Sequence, residues 1–159
     1  MTNKLTLTTP NDLEVVITRV FNAPRRLVFD CYTKPALVRR WLIGPANWVF
    51  VVCDIDLRVG GAYRYVWRAP DGSEMGMGGI YREIQAPERL VDVQLFDEDW
   101  TGGETLNTLI LTEHDGKTTA THRVKYASLA ARDGALRTGM VDGMSAGFDR
   151  LDLYLQTSV

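Results

Sequence analysis

The sequence predicts an α+β fold in which a run of antiparallel strands is followed by one long C-terminal helix. Three observations carry this. The apolar period is two over residues 48–127, it becomes helical after residue 128, and Gly-containing turn signals punctuate the strand region without intervening βα units. At 159 residues the chain has the length of one domain, expected to span 1–159.

The first element is a strand at 13–21, where Val15, Val16, Ile17 and Val20 supply β-branched side chains. Pro24 then opens a short helix over 24–33 with Leu27, Val28 and Cys31 on one stripe. Pro35 restarts the helical pattern, and Leu37, Val38, Trp41 and Leu42 form a second short amphipathic helix that Gly44-Pro45 ends. A strand at 48–57 runs into the Gly60-Gly61 turn. Residues 62–69 alternate, with Tyr63, Tyr65 and Trp67 on one face and Arg64 and Arg68 on the other. Asp71-Gly72 is a hairpin signal. Residues 74–84 carry Met75, Met77, Gly79 and Tyr81 on one face. Pro87 breaks the pattern, and 89–96 follows with Val91, Val93 and Leu95 sharing a face. The acidic loop Asp97 to Asp99 and Gly102-Gly103 lead to a strand at 105–113. Asp115-Gly116 then turns the chain into a last strand at 117–126, where Ala120, His122, Val124 and Tyr126 oppose Thr119, Thr121, Arg123 and Lys125. The result is a meander with one dry and one wet face. Leu129, Leu136, Met140, Met144, Phe148, Leu151 and Leu155 then mark one helix over 128–156, about 40 Å long. Its stripe needs a surface of matching length, which the sheet provides.

Composition excludes several function classes. The formal charge is −2, so no global field favours nucleic acid. No apolar run approaches the ~20 residues that span a bilayer, and the residues before the first strand give no expectation of a secretory signal. Two isolated cysteines, Cys31 and Cys53, fit free thiols in a reducing cytoplasm, and neither belongs to a zinc-type spacing. No metal and no cofactor is expected.

Candidate chemistry is sparse. The string Gly143, Met144, Ser145, Ala146, Gly147 matches G-x-S-x-G but sits within a helical repeat, where no strand-to-helix elbow can form. Gly139, Gly143 and Gly147 recur every fourth residue and predict a bare line on the helix, allowing close approach of another backbone or a ligand. Asp54 and Asp56 share a strand side, with Arg58 as the simplest counter-charge and a cation site as the alternative. The Arg25-Arg26 and Arg39-Arg40 pairs read as solvated faces, and His114 as a solvated residue beside a hairpin turn. His122 lies on the apolar face of its strand. It is either a core imidazole bonded to a neighbouring hydroxyl or carbonyl, or a polar anchor or acid–base group in a pocket. The softest and most aromatic residues fall on faces that should meet across the helix and sheet. These residues form either a plain core or a ligand site lined by Trp41, Tyr63, Tyr65, Trp67, Met75, Met77, His122, Met140, Met144 and Phe148, suited to a small hydrophobic or aromatic molecule.

Several strings together resemble a known family. Arg19, Val20, Phe21, Asn22, Ala23 and Pro24 before a helix, with Trp41 after it, resemble the start of START-like (SRPBCC, Bet v allergen-like) domains. Asp56 to Gly61, Gly79 to Ile84, Pro87 to Leu90 and Thr138 to Gly143 with Leu151 look like the subgroup related to the activator of heat-shock-protein-90 ATPase. The resemblance runs from about Leu13 to Leu155. Phe148 stands near a position where that family usually has Trp, and His122 where an aliphatic residue is usual. The resemblance implies a helix-grip fold, a curved sheet wrapped around the last helix with a cavity between. Three functions are then in play: binding of a small hydrophobic ligand, interaction with a chaperone ATPase, or cyclase- or hydrolase-type catalysis through His122. A monomer or homodimer is expected.

Overall fold

The computed structural model describes residues 4–43, 47–99 and 101–158. Its backbone is an eight-stranded antiparallel sheet gripped around helices. The strands are β1 (Thr6–Thr8), β2 (Glu14–Phe21), β3 (Val49–Ile55), β4 (Ala62–Arg68), β5 (Glu74–Gln85), β6 (Arg89–Phe96), β7 (Thr105–His114) and β8 (Lys117–Lys125). Helices α1 (Arg25–Thr33) and α2 (Pro35–Trp41) lie between β2 and β3, and α3 (Leu129–Leu136) and α4 (Met140–Ser158) follow β8. The sheet order is β1-β2-β8-β7-β6-β5-β4-β3, so β2 closes against β8 and the rest is a meander. This is the helix-grip α+β architecture.

Two elements differ from the sequence expectation. Three-residue β1 pairs with β2 through Thr6↔Thr18 and Thr8↔Val16; so short a segment carries no alternation to detect. The long helix is two helices. Gly139 adopts φ +80°, which only a residue without Cβ takes readily, and Thr138 turns back by donating to the Ala135 carbonyl. Helix α4 alone is about 28 Å long at 19 residues. The glycine line therefore dissolves. Gly139 lies outside either helix and a Cβ on Gly143 would meet open space. At Gly147 a Cβ would lie 3.6 Å from the Trp41 carbonyl oxygen, so that glycine seats α2 on α4. The G-x-S-x-G string stays inside α4. The stop at Gly44-Pro45 lies outside the described residues.

The core collects Val15, Ile17 and Phe21 of β2, Val28 and Cys31 of α1, Trp41 of α2 and Phe148, Leu151 and Leu155 of α4, all buried. Phe148 packs edge-on against Phe21 at 5.8 Å and stacks on Trp41 at 6.1 Å. Cys31 and Cys53 are free and buried, and burial pushes the Cys31 thiol up to about 11. Asp56 pairs with Arg58 at 2.8 Å, as the simpler reading of that carboxylate expects. His114 lies exposed beside Asp115.

One polar link crosses this core. Arg19 is 1% exposed and donates to Asp149 of α4 at 2.9 Å, with Asp152 3.8 Å away. Asp152 is itself buried, and its Oδ1 and the Arg19 Nε and Nη2 make no hydrogen bond. The two charges therefore depend on one another, because an uncompensated buried ion costs several kcal/mol. Asp152→Ala should lower unfolding stability by about 3 kcal/mol. Arg19→Met combined with Asp152→Leu should recover most of that loss in urea titrations. A double variant as unstable as the single one would show that the pair is not coupled.

Candidate functional site

The inner face of the sheet is set by register. Rows across the strands read Val124, Asn107, Asp92, Tyr81 and, one step along, Thr105, Gln94, Gly79, Tyr63. The turn-side pairs of β5 and β6 are Gln85↔Arg89, Ile84↔Leu90 and Glu83↔Val91, but the next pair is Tyr81↔Asp92. Arg82 is thus an extra residue, a bulge that shifts the phase of β5 by one. An unbroken ladder would put Tyr81 opposite Val93, and the alternating apolar residues of β6 would face inward with the β5 aromatics. The bulge reverses this. Leu90, Asp92 and Gln94 face the core, while Val91, Val93 and Leu95 lie on the outer face, where Leu95 is 49% exposed.

A polar cluster results inside an aromatic wall. The Tyr63 hydroxyl donates to Asp92 Oδ2 at 2.5 Å and accepts from Gln94 Nε2 at 3.1 Å. The Tyr63 ring lies across Gly79, where a Cβ would come within 2.5 Å of it. Tyr65 and Tyr81 flank Tyr63 with ring centroids at 5.0 and 5.4 Å. Among the described residues the Tyr65 and Tyr81 hydroxyls and Asp92 Oδ1 make no hydrogen bond; Asp92 is half-buried, whereas Tyr65 and Tyr81 are only 6% and 2% exposed. Desolvation lifts the Asp92 carboxyl to about 6, against the lowering effect of the Tyr63 hydrogen bond. Burial likewise pushes the Tyr63, Tyr65 and Tyr81 hydroxyls up, so all three stay protonated.

His122 sits two strands away on β8, roughly 12 Å from Asp92 by strand spacing and rise. Its Nε2 lies 2.9 Å from the Tyr32 hydroxyl of α1, and its ring is 5.3 Å from Phe148. Burial pulls its pKa down to about 4, leaving the imidazole neutral. Of the sequence-derived alternatives, the geometry is that of an imidazole bonded to a neighbouring hydroxyl. Asp92 lies outside hydrogen-bond reach of it, so no acid–base pair forms between them.

The other expected lining residues divide into two groups. Trp41 is buried, edge-on to Tyr32 at 5.0 Å, and its indole N–H donates to the Cys31 carbonyl. Trp67 donates to the Leu42 carbonyl and lies 4.8 Å from Phe50. Together with Phe148 and His122 these residues build the closed side. Tyr63, Tyr65 and Met77 line the face around Asp92, and Met75 is registered with Trp67. Half-buried Met140 accepts from the Tyr126 hydroxyl just beyond the end of β8, three strands from β5, and Met144 lies one turn further along α4. Sequence reasoning put Tyr81 on the face of Met75 and Met77 but not in the site, and it passed over Asp92, Gln94, Asn107 and Tyr32. Two open surface recesses, one of about 220 Å³ by Val93, Thr105, Lys125 and Tyr126 and one of about 380 Å³ by Leu5, Arg19 and Val141, are lined by none of Asp92, Tyr63, Tyr65 and Tyr81.

The two shifted groups act oppositely on stability. Asp92 binds its proton more tightly folded than unfolded, so its contribution is present at low pH and fades as pH rises from about 4 to about 6. His122 binds its proton less tightly folded, so its contribution is lost as pH falls from about 6.5 to about 4. The native protein should show a shallow stability profile across pH 4–6. Asp92→Asn should make stability rise with pH across that window, and His122→Gln should make it fall, each by roughly 1–2 kcal/mol. Urea midpoints at pH 4, 5 and 6 check this; parallel profiles for all three proteins would contradict it.

Comparison with known proteins places this geometry. The family model described as Activator of Hsp90 ATPase homolog 1-like protein matches residues 22–156. A crystal structure of a Rhodobacter sphaeroides protein is 31% identical, with TM-score 0.91 over 97% of this chain and 99% of that one. A Mycobacterium smegmatis protein is 29% identical, with TM-score 0.82 over 95% and 96%. A Staphylococcus epidermidis protein solved in solution is 26% identical, with TM-score 0.80 over 97% and 95%. The curated proteins give no match. On the extent of the family match and the shared fold, the chain belongs to the Activator of Hsp90 ATPase homolog 1-like family.

Proposed function

We propose that the protein binds a small, largely apolar molecule between the sheet and α4, as a single domain over 1–159 working in the cytoplasm. The observation that carries this is the polar cluster on the inner face. Half-buried Asp92 stands there within a wall of buried tyrosines whose Tyr65 and Tyr81 hydroxyls make no hydrogen bond among the described residues. A packed core places Leu, Ile and Val at such positions and leaves no unpaired hydroxyl. Tyr63, Tyr65, Met77, Met140 and Met144 supply the soft lining and Trp41, Trp67, Met75, His122 and Phe148 its rigid backing. Burying roughly 300 Å² of apolar ligand surface at about 25 cal/mol per Å² gives about 7 kcal/mol, the micromolar range. The neutral fluorophore N-phenyl-1-naphthylamine should bind one to one with a micromolar Kd. Met144→Trp should weaken it at least about tenfold without lowering Tm by more than a few degrees. Absence of any fluorescence enhancement with the folded protein would sink the proposal.

A second reading is supported by the outer face. Ile80, Val93 and Leu106 form one row across β5, β6 and β7, and Ile80, Leu106, Leu95 and Ile110 are each more than a third exposed. Together with the family's description, this apolar row favours docking to a chaperone ATPase. Stimulation of a bacterial Hsp90-type ATPase that Leu106→Glu abolishes would support it. An unchanged ATPase rate at saturating protein would remove it.

A further inference from the structure

The carboxylate on the inner face has no counter-charge. Its neighbours by register are Tyr81 and Asn107, and its hydrogen-bond partner is Tyr63; all are neutral. No Arg or Lys lies close enough to draw its pKa down, and desolvation dominates its environment. The buried arginine of the fold, Arg19, is committed to Asp149 and Asp152 on the far side of the sheet order, at β2. One Asp92 oxygen is held by Tyr63, the other makes no hydrogen bond among the described residues, and the residue is half-buried. The Tyr63 ring that holds it lies 5.0 Å from the Tyr65 ring and 5.4 Å from the Tyr81 ring.

Such a carboxylate stays costly while it is alone. The group that relieves it is a cation with N–H donors, since a charge-assisted hydrogen bond is about twice as strong as a neutral one. Aromatic rings beside the carboxylate add attraction for a positive centre. A neutral hydroxyl on the ligand would satisfy the free oxygen but leave the charge uncompensated. An anionic ligand would meet direct repulsion. Gly79 fixes the arrangement, because any side chain there would push the Tyr63 ring, and with it the donor, away from Asp92.

We propose that Asp92, with the hydroxyls and rings of Tyr63, Tyr65 and Tyr81, forms a recognition site for a protonated amine carried by an otherwise apolar ligand. This rests on the reading of the inner face as a ligand site. Calorimetry on the full chain at pH 7.5 with 4-phenylbutylamine and its isostere 4-phenylbutanol separates the two ideas. The amine should bind at least about tenfold more tightly than the alcohol. Asp92→Asn should bring the two within about threefold, with the amine losing more affinity than the alcohol. Should Asp92→Asn fail to fold, native protein at pH 5 serves the same purpose. Asp92 is then mostly protonated, the amine is still charged and His122 is still neutral, so the preference should collapse. An alcohol that binds as well as the amine, or an amine preference that survives Asp92→Asn, overturns the amine site and leaves the ligand site standing. Failure of both probes to bind overturns both.

Discussion

The extra residue at Arg82 is the constraint on which the inner face depends. Strand side chains alternate with a period of two, so a one-residue slip between neighbours inverts which face each residue serves. The β5–β6 turn registers Ile84 with Leu90 and sends both inward. Past the bulge, Tyr81 joins that same face opposite Asp92, and Gly79 and Met77 follow it. The carboxylate, the glutamine and the tyrosines converge because of that slip. The apolar row of Val93 and Leu95 is left outside by the same step.

The helices pack mainly on the strands at the two ends of the sheet order and on β7 and β8. Helix α1 packs over β7 and β8, α4 over β2 and α2 against β3, with Trp41, Phe148, Tyr32 and His122 as one aromatic block. Gly147 lets α2 press against α4, and Arg19 ties α4 to β2. These contacts hold α4 toward one side of the sheet. The tyrosine wall of β4 and β5 lies several strands from β2 in the sheet order, and beside it Asp92 is half-buried.

Much of this was legible in the sequence. The alternation in β4 and β8 placed Tyr63, Tyr65, Trp67 and His122 on the inner face, and the turn signals at Asp71-Gly72 and Asp115-Gly116 lie between the strands they were expected to join. Asp92 and Gln94 were not legible, because β6 read alone is an ordinary amphipathic strand with its valines inward. Only the pairing with β5 reveals the inversion, and a bulge at an exposed arginine leaves no compositional mark. The break at Gly139 was hidden for a related reason. The apolar stripe resumes in phase after it, so periodicity alone runs through the turn. Gly139 itself was the available signal, since a helix interior penalises glycine by about 1 kcal/mol.

The inward position of Asp92 is tested most directly by following its side-chain carboxyl through a pH titration by carbon NMR. The account predicts a midpoint near 6 that moves higher in Tyr63→Phe, where the hydrogen bond that favours the charged form is lost. A midpoint near the ordinary 4, unmoved by Tyr63→Phe, would mean that Asp92 points to solvent and that the register-built site does not exist.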